Sequence, residues 1–242
     1  LSRGLGDVYK RQLPTQVDKI SKRIKECAKD HIRLALKPLS PEVFGNKSAE
    51  RYCNRLETLL KRPETIGIVV QPLRLCPGLS PYSPKAGAKK LAEKLKSLLK
   101  LASEGSSPRT ILVECGNSLL IEIVAEGVRI ALSGKAAQKA HLMLEIPAYL
   151  KKSPAILREM TEWATSRSTK GAPPFRPLLV KGSDLTHEQE LQSRHGEASA
   201  VSRNKAETET RFKKLIHTAV TASPKAIAPV IGSHNLYDIA YT

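Results

Sequence analysis

The fold is indicated by the stretch LMLEIPAYLKKSPAILREMTEWATSRSTKGAPPFRPLLVKG, which spans residues 142–182. It opens with the apolar run Leu142–Ile146 and closes with a second run, Leu178–Gly182. Short apolar runs of this kind are typical of strands buried on both faces. Between them Ser153-Pro154 predicts a helix start, with a serine cap and proline at the first helical position. One helical face then carries Ile156, Leu157, Met160 and Trp163. The stretch therefore predicts a strand–helix–strand unit with parallel strands.

The same alternation continues on both sides of this unit. Further strands are predicted at Ile66–Leu75, Ile111–Glu114 and Ile227–Ile231, with a weaker candidate at Ile32–Leu36. Other helical stripes are Leu91, Leu95, Leu98 and Leu99; Leu120, Ile123, Val124 and Val128; and Phe212, Leu215, Ile216, Ala219 and Val220. Alternating strands and helices predict an α/β fold with a parallel sheet. A glycine-rich nucleotide turn and a P-loop are both missing from the sequence, so a (β/α)8 TIM-type barrel is favoured over a doubly wound fold. About six of its eight strands can be counted, which predicts an incomplete barrel.

The two ends of the sequence do not fit this pattern. The first twelve residues contain the string GDVYKRQ, which resembles translated adapter sequence. We expect residues 1–12 to be an artefact or a disordered tail, and residues 13–242 to form one partial barrel domain. The last residues, from His234 onward, read as the start of a helix in which the chain stops.

Composition limits the classes of function. A formal charge of +17 favours contact with polyanions, but aromatic residues make up only 4% of the chain. Base-stacking platforms need aromatic side chains, and the lysines interleave with apolar residues as on solvated helix faces. A basic nucleic-acid-binding module is therefore the lesser alternative. Four cysteines without a C-x-x-C pair predict buried thiols in a reducing compartment. We expect the cytoplasm.

Several polar residues stand where strands end, the position of active sites in α/β barrels. Val180, Lys181, Gly182 and Ser183 would place an ammonium group and an open backbone at the barrel mouth, although spacing alone favours a surface lysine and a turn glycine. Ser233, His234 and Asn235 follow another strand, and His234 is either a ligand contact or a structural group. Asn204 and Lys205 begin a helix that could hold an anion or could simply be capped. Glu114 could orient a cofactor or cap the next helix. Hydrolytic motifs are absent from the sequence.

Three of these stretches, in this order and at this spacing, resemble the proline dehydrogenase family, including the proline dehydrogenase part of bifunctional proline utilization A proteins. Leu179–Gly182 resembles the end of the family's R-L-V-K-G strand. Asn204–Thr208 resembles its T-K-A-E segment, and Ile231–Ala240 resembles its A-S/T-H-N segment. Weaker similarity extends back to about Ile32, so the resemblance covers most of the chain.

The resemblance implies a distorted barrel that binds FAD non-covalently at its C-terminal rim. It implies oxidation of L-proline to Δ1-pyrroline-5-carboxylate, with an electron acceptor such as a quinone, through which the enzyme could associate with a membrane. Val180, Lys181, Gly182 and Ser183 would line the flavin. Asn204 and Lys205 would contact its ribityl or phosphate part, and Ser233, His234 and Asn235 would lie beside it. Glu114 stands where the family has an aspartate, which makes it the candidate catalytic residue.

The chain also departs from the family pattern. Leu178 replaces an arginine, Gln71 replaces a substrate-side lysine, and Pro147 replaces a glutamine. The arginine pair that grips the proline carboxylate would lie beyond the last residue. Losing one charge-assisted contact typically costs about 1.5–3 kcal/mol. Either the chain is a divergent enzyme with other contacts, or it is a non-catalytic FAD-binding or scaffold barrel of the same ancestry. The isolated fragment is expected to be inactive.

Overall fold

A computed structural model describes residues 17–39, 45–104, 108–133, 141–182, 188, 190 and 200–242. The predicted tail, residues 1–12, and the candidate site residue Ser183 lie outside these ranges. In chain order the described residues form α1 (Val17–Lys29), α2 (Gly45–Leu60), β1 (Gly67–Val70), α3 (Pro72–Leu75), α4 (Pro84–Ala102), β2 (Thr110–Val113), α5 (Ile121–Leu132), β3 (His141–Pro147), α6 (Ser153–Ser168), β4 (Arg176–Val180), α7 (Lys205–Val220), β5 (Val230–Gly232) and α8 (Leu236–Ala240).

The five strands form one parallel sheet in the order β1-β2-β3-β4-β5. Each strand pairs with the next one in the chain, and the connections between them carry helices. This confirms the predicted α/β class with a parallel sheet. An isolated parallel bridge between Leu36 and Ile68 adds one more residue pair beside β1. Since the strands are parallel and in register, all five end at the same edge, here called the C-terminal edge.

The two faces of the sheet differ in burial. Leu142, Leu144 and Ile146 on β3 are almost fully buried and belong to one core with the apolar stripes of the helices. Burying a leucine or isoleucine side chain stabilises a fold by about 1.5–3 kcal/mol, so this helix-covered face supplies most of the cohesion. The alternating residues His141, Met143 and Glu145 are only half-buried. The face that they share with Leu112, Glu114, Leu178 and Val180 is called the inner face below.

Three local predictions were wrong. Only Gly67–Val70 of the run Ile66–Leu75 is strand, because Pro72 begins the short helix α3. Ser153 is not a cap: Lys152 is the N-cap residue, and the Ser153 hydroxyl donates to the Pro147 carbonyl at 2.6 Å. In the run Ile227–Ile231 the strand begins at Val230, and Ile227 makes only an isolated bridge to Phe175.

The strand count also differs from the prediction. The described residues contain five strands rather than six, because Ile32–Leu36 contributes a bridge and not a strand. The closed barrel therefore stays an expectation. All four cysteines are buried free thiols, as predicted. Across the described ranges, each helix is too short or too polar to cross a membrane.

Candidate functional site

The end of β4 carries the first predicted group of site residues. Val180 is the last residue of β4, and its carbonyl accepts a hydrogen bond from the Ala148 amide at 2.7 Å. The Lys181 carbonyl accepts one from the Tyr149 amide at 3.0 Å, which extends the strand contact by one residue. Gly182 has φ +96°, a conformation that side chains rarely adopt. The backbone of residues 180–182 is thus held beside the end of β3 and turns sharply after Lys181.

Lys181 is the centre of an ion-pair cluster. Its Nζ lies 2.7 Å from Glu209 Oε1 on α7 and 2.8 Å from Asp238 Oδ2 on α8. The Ser233 hydroxyl donates to the same Asp238 oxygen at 2.5 Å. Burial lowers the pKa of Lys181, but hydrogen bonds to Asp238 and Glu209 outweigh it and leave the pKa raised. Lys181 is therefore a fixed cation that joins β4 to α7 and to the segment after β5.

Asn204 and Lys205 lie at the start of α7. The Asn204 side-chain oxygen accepts from the Glu207 amide at 2.9 Å, so Asn204 is the N-cap. Lys205 is exposed, and it stands one helical turn before Glu209, the partner of Lys181. Residues four apart share a helix face, so Lys205 lies on the same side of α7 as the Lys181 cluster. The first N–H groups of a helix have no acceptor within it, which makes such an end suited to anions.

His234 and Asn235 follow β5 at the same edge. Both residues are exposed, and the Asn235 side chain caps α8 by accepting from the Tyr237 amide at 3.0 Å. The Asn235 amide donates to the Ser233 hydroxyl at 3.1 Å. The structure therefore brings Lys181 and Ser233 into one cluster, with Asn204, Lys205, His234 and Asn235 around it. It adds Glu209 and Asp238, which the sequence motifs did not single out.

Glu114 lies on the inner face, directly after β2. Its Oε1 is 2.5 Å from the Nζ of Lys37, a residue that follows the bridge at Leu36. One position beyond the registered pair Val113–Leu144, Glu114 and Glu145 stand side by side on neighbouring strands. Burial raises the pKa of Glu145, and the nearby Glu114 charge raises it further. Glu145 Oε2 accepts from the Cys115 amide at 3.2 Å. Sequence reasoning missed Lys37 and Glu145, although a glutamate inside an apolar strand is itself a signal.

The carboxylate of Glu188 is buried between the Lys181 cluster and the pair formed by Glu114 and Glu145. Glu188 is only 1% exposed, and its Oε1 accepts from the Ser118 amide at 2.9 Å and from the Tyr149 hydroxyl at 3.3 Å. Burial raises the pKa of Tyr149. A Cβ atom at Gly182 would lie 1.8 Å from the Tyr149 ring. Tyr149 therefore joins the loop after β2 to the loop after β4. Among the described residues, no group of three or more His, Cys, Asp or Glu side chains is arranged to hold a metal ion.

A family model described as proline dehydrogenase matches residues 20–242. Proline utilization A from Corynebacterium freiburgense is similar in structure, with a TM-score of 0.89 and 22% identity over 95% of this chain and 24% of that one. The protein of the same name from Bdellovibrio bacteriovorus gives 0.82 and 20% identity over 93% of this chain and 25% of that one. The structure from Bradyrhizobium japonicum has a TM-score of 0.76 and 19% identity, over 86% of this chain and 22% of that one.

The structural matches bear on the fold of the chain, and the family match bears on its family. At such identities the structural matches show the fold, and the chain spans about a quarter of the length of these proteins. Comparison with curated proteins gives no match. The family match rests instead on nearly the whole chain.

Proposed function

Because the chain belongs to the proline dehydrogenase family, we propose that it is the FAD-binding part of an enzyme that oxidises L-proline to Δ1-pyrroline-5-carboxylate. The proline loses a hydride from carbon and a proton from nitrogen, and a C=N bond forms. FAD, when bound, accepts the hydride, and an acceptor such as a quinone takes the electrons onward. The observation that supports the proposal best is that the stretches around Lys181, Lys205 and Ser233 meet at the C-terminal edge.

The residues at this edge fit an anionic dinucleotide. Lys181 supplies a fixed ammonium group at this edge: Glu209 and Asp238 use two of its three donors, and its Nζ also lies 5.5 Å from the centroid of the Phe212 ring. The exposed Lys205 and the first turn of α7 suit a phosphate group. Under the proposal Val180, Lys181, Gly182 and Ser183 hold the flavin, and Asn204 and Lys205 hold the phosphate part. Ser233, His234 and Asn235, at the end of β5, would lie beside the cofactor.

Glu114 is the proposed group for the substrate nitrogen. Its carboxylate is half-exposed on the inner face, and its Oε2 has room for a second hydrogen bond because the Lys37 contact uses Oε1. An ionised carboxylate accepts hydrogen bonds only, so it would bind the ring nitrogen through its N–H. Glu114 would then be in position to receive the proton that leaves this nitrogen.

The non-catalytic alternative has its own support on the inner face. Gln71, directly after β1, and Leu178 on β4 are both uncharged, and Leu178 pairs in register with Glu145. A barrel without charged groups at these two positions could bind FAD without oxidising proline. The two functions differ in whether proline reduces the bound flavin.

The natural protein, expressed at full length, tests the proposal. We expect bound FAD, and anaerobic addition of L-proline should bleach the flavin absorbance. Lys205→Met should weaken FAD binding by about tenfold, the effect of one charge-assisted contact. Lys214→Met, which removes another exposed lysine of α7, should leave FAD binding unchanged.

Three other outcomes decide against the proposal. Bound FAD that proline does not reduce supports the non-catalytic alternative. A protein that binds no FAD contradicts both. Steeply salt-dependent nucleic-acid binding in place of flavin binding would identify the basic-module alternative.

A further inference from the structure

The inner face near β1 and β2 carries a cation that comes from outside the named strands. Leu36 bridges Ile68, with the Leu36 amide donating to Gly67 and the Val69 amide donating to Leu36, both at 2.9 Å. Lys37 is the next residue, so its extended backbone turns its side chain to the opposite face of the sheet. Its ammonium group reaches past β1 to Glu114 on the loop side of β2.

The ammonium group of Lys37 has more hydrogen-bond donors than its contact with Glu114 requires. One of its three donors goes to Glu114 Oε1, and its side chain is 39% exposed. Lys181, at the end of β4, already bonds two carboxylates and is less exposed, at 24%. The neighbouring side chain after β1, Gln71, is uncharged. Lys37 is therefore well placed to bind an added anion on the inner face.

The charges around Lys37 match an amino acid in its zwitterionic form. The ammonium group of Lys37 complements a carboxylate, and the neighbouring Glu114 and Glu145 carboxyl groups accept hydrogen bonds from a ligand amine. Both kinds of group lie on one face within the reach of a small molecule, since Lys37 contacts Glu114 directly. A simple carboxylate, a simple amine or a nucleotide would match only part of this set.

We propose that Lys37 binds the carboxylate of the amino-acid substrate and thereby selects acids over their amides. This rests on the proposed function for the identity of the substrate, but the carboxylate contact itself does not depend on turnover. Lys37 is a specificity-determining residue, since it contacts the part of the substrate that does not react. The ion pair with Glu114 keeps the ammonium group in place before the substrate arrives.

The experiment compares two ligands that cannot be oxidised at a C–N bond, cyclopentanecarboxylate and cyclopentanecarboxamide. Each is titrated calorimetrically into the full-length, FAD-loaded protein. We expect the wild type to prefer the carboxylate, and Lys37→Met to weaken carboxylate binding by about ten- to a hundredfold. Amide binding should be unchanged in the same variant. Lys37→Arg should keep most of the preference because it keeps the charge.

Lys152→Met is the matched control, because Lys152 also forms an exposed ion pair, with Glu122 at 2.9 Å, but between the starts of α5 and α6. If Lys37 had a purely structural role, Lys37→Met would weaken the binding of both ligands equally. The ratio of the two affinities therefore isolates the carboxylate contact. Equal affinity of wild type and Lys37→Met for the carboxylate would overturn the inference, as would a wild type without preference for the acid.

Failure of the proposed function gives a different result. If Lys37 governs carboxylate binding but L-proline does not reduce the flavin, the inference stands and proline oxidation is wrong. If L-proline reduces the flavin with the same KM in wild type and Lys37→Met, proline oxidation stands and the inference is wrong.

Discussion

Replacing Gly182 with alanine should cause one of the largest losses of stability at the C-terminal edge. The backbone at Gly182 has φ +96°, and a new Cβ atom would lie 1.8 Å from the Tyr149 ring. The left-handed conformation costs a non-glycine residue about 1–3 kcal/mol. Overpacking typically adds about 1–3 kcal/mol. Tyr149 is only 6% exposed, so its ring has little room to move away. The two costs together give about 2–6 kcal/mol.

The prediction is measured as the thermal midpoint by far-UV circular dichroism. A protein of this size loses about 2–4 °C per kcal/mol, so a central cost of about 4 kcal/mol lowers Tm by roughly 8–16 °C. Gly171→Ala is the control, because Gly171 has φ +75° but nothing within 4 Å of the added Cβ. It should show the backbone cost alone, about 1–3 kcal/mol.

A double variant separates the two costs. In a Tyr149→Ala background the added methyl group has space, so Gly182→Ala should then cost no more than Gly171→Ala. Equal Tm losses for Gly182→Ala and Gly171→Ala in the wild-type background would refute the role given to Tyr149.

Two further predictions concern stability. Hydrogen bonds from the Ser21 hydroxyl and from Arg62 lower the pKa of Glu64 from 4.5 to about 2. A carboxyl group with a lowered pKa in the folded state stabilises the fold above pH 4.5, and this contribution is lost as the pH falls toward 2. Glu64→Gln should therefore lower Tm at pH 6, with a gap from wild type that closes on acidification; a gap independent of pH would show that the carboxylate charge is not involved. Ser153→Ala removes the donor to the buried Pro147 carbonyl and should cost about 1–3 kcal/mol in urea unfolding. The control, Ser133→Ala, loses only an exposed bond to Arg129 and should cost below about 0.5 kcal/mol; equal costs would contradict the importance of burial.

The sequence predicted the parts of the fold that depend on local pattern. Apolar runs identified the strands and apolar stripes identified the helices, because a parallel sheet covered by helices is built from apolar strands. The errors arose where a residue's local sequence context suggested one role and the folded structure gave it another. Ser153-Pro154 has the composition of a capped helix start, yet the hydroxyl bonds to the end of β3. Leu73 and Leu75 continue an apolar run, but Pro72 begins a helix there.

The candidate site was predictable only in part, for a related reason. Lys181 and Ser233 were identified because each follows a strand, and parallel strands end at one edge. Their partners Glu209 and Asp238 lie on helices, where a charged residue usually faces solvent, so no local pattern distinguishes them. Lys37 was missed because it follows a segment that forms only a bridge. These contacts depend on which distant segments of the chain pair with one another, and the pattern of a single sequence does not show that pairing.

The placement of charge bears on the alternative functions. The chain has a net charge of +17, but the groups that contact one another at the strand ends are largely acidic: Glu114, Glu145, Glu188, Glu209 and Asp238, against Lys37, Lys181 and Arg211. The lysines Lys85, Lys89, Lys96 and Lys100 are exposed on α4, on the outer layer. Because exposed lysines attract a long polyanion, nucleic acid would bind the outer helices. The basic composition therefore describes the outer surface, and the inner face beside Lys37 and Glu114 is suited to a small ligand that carries both charges.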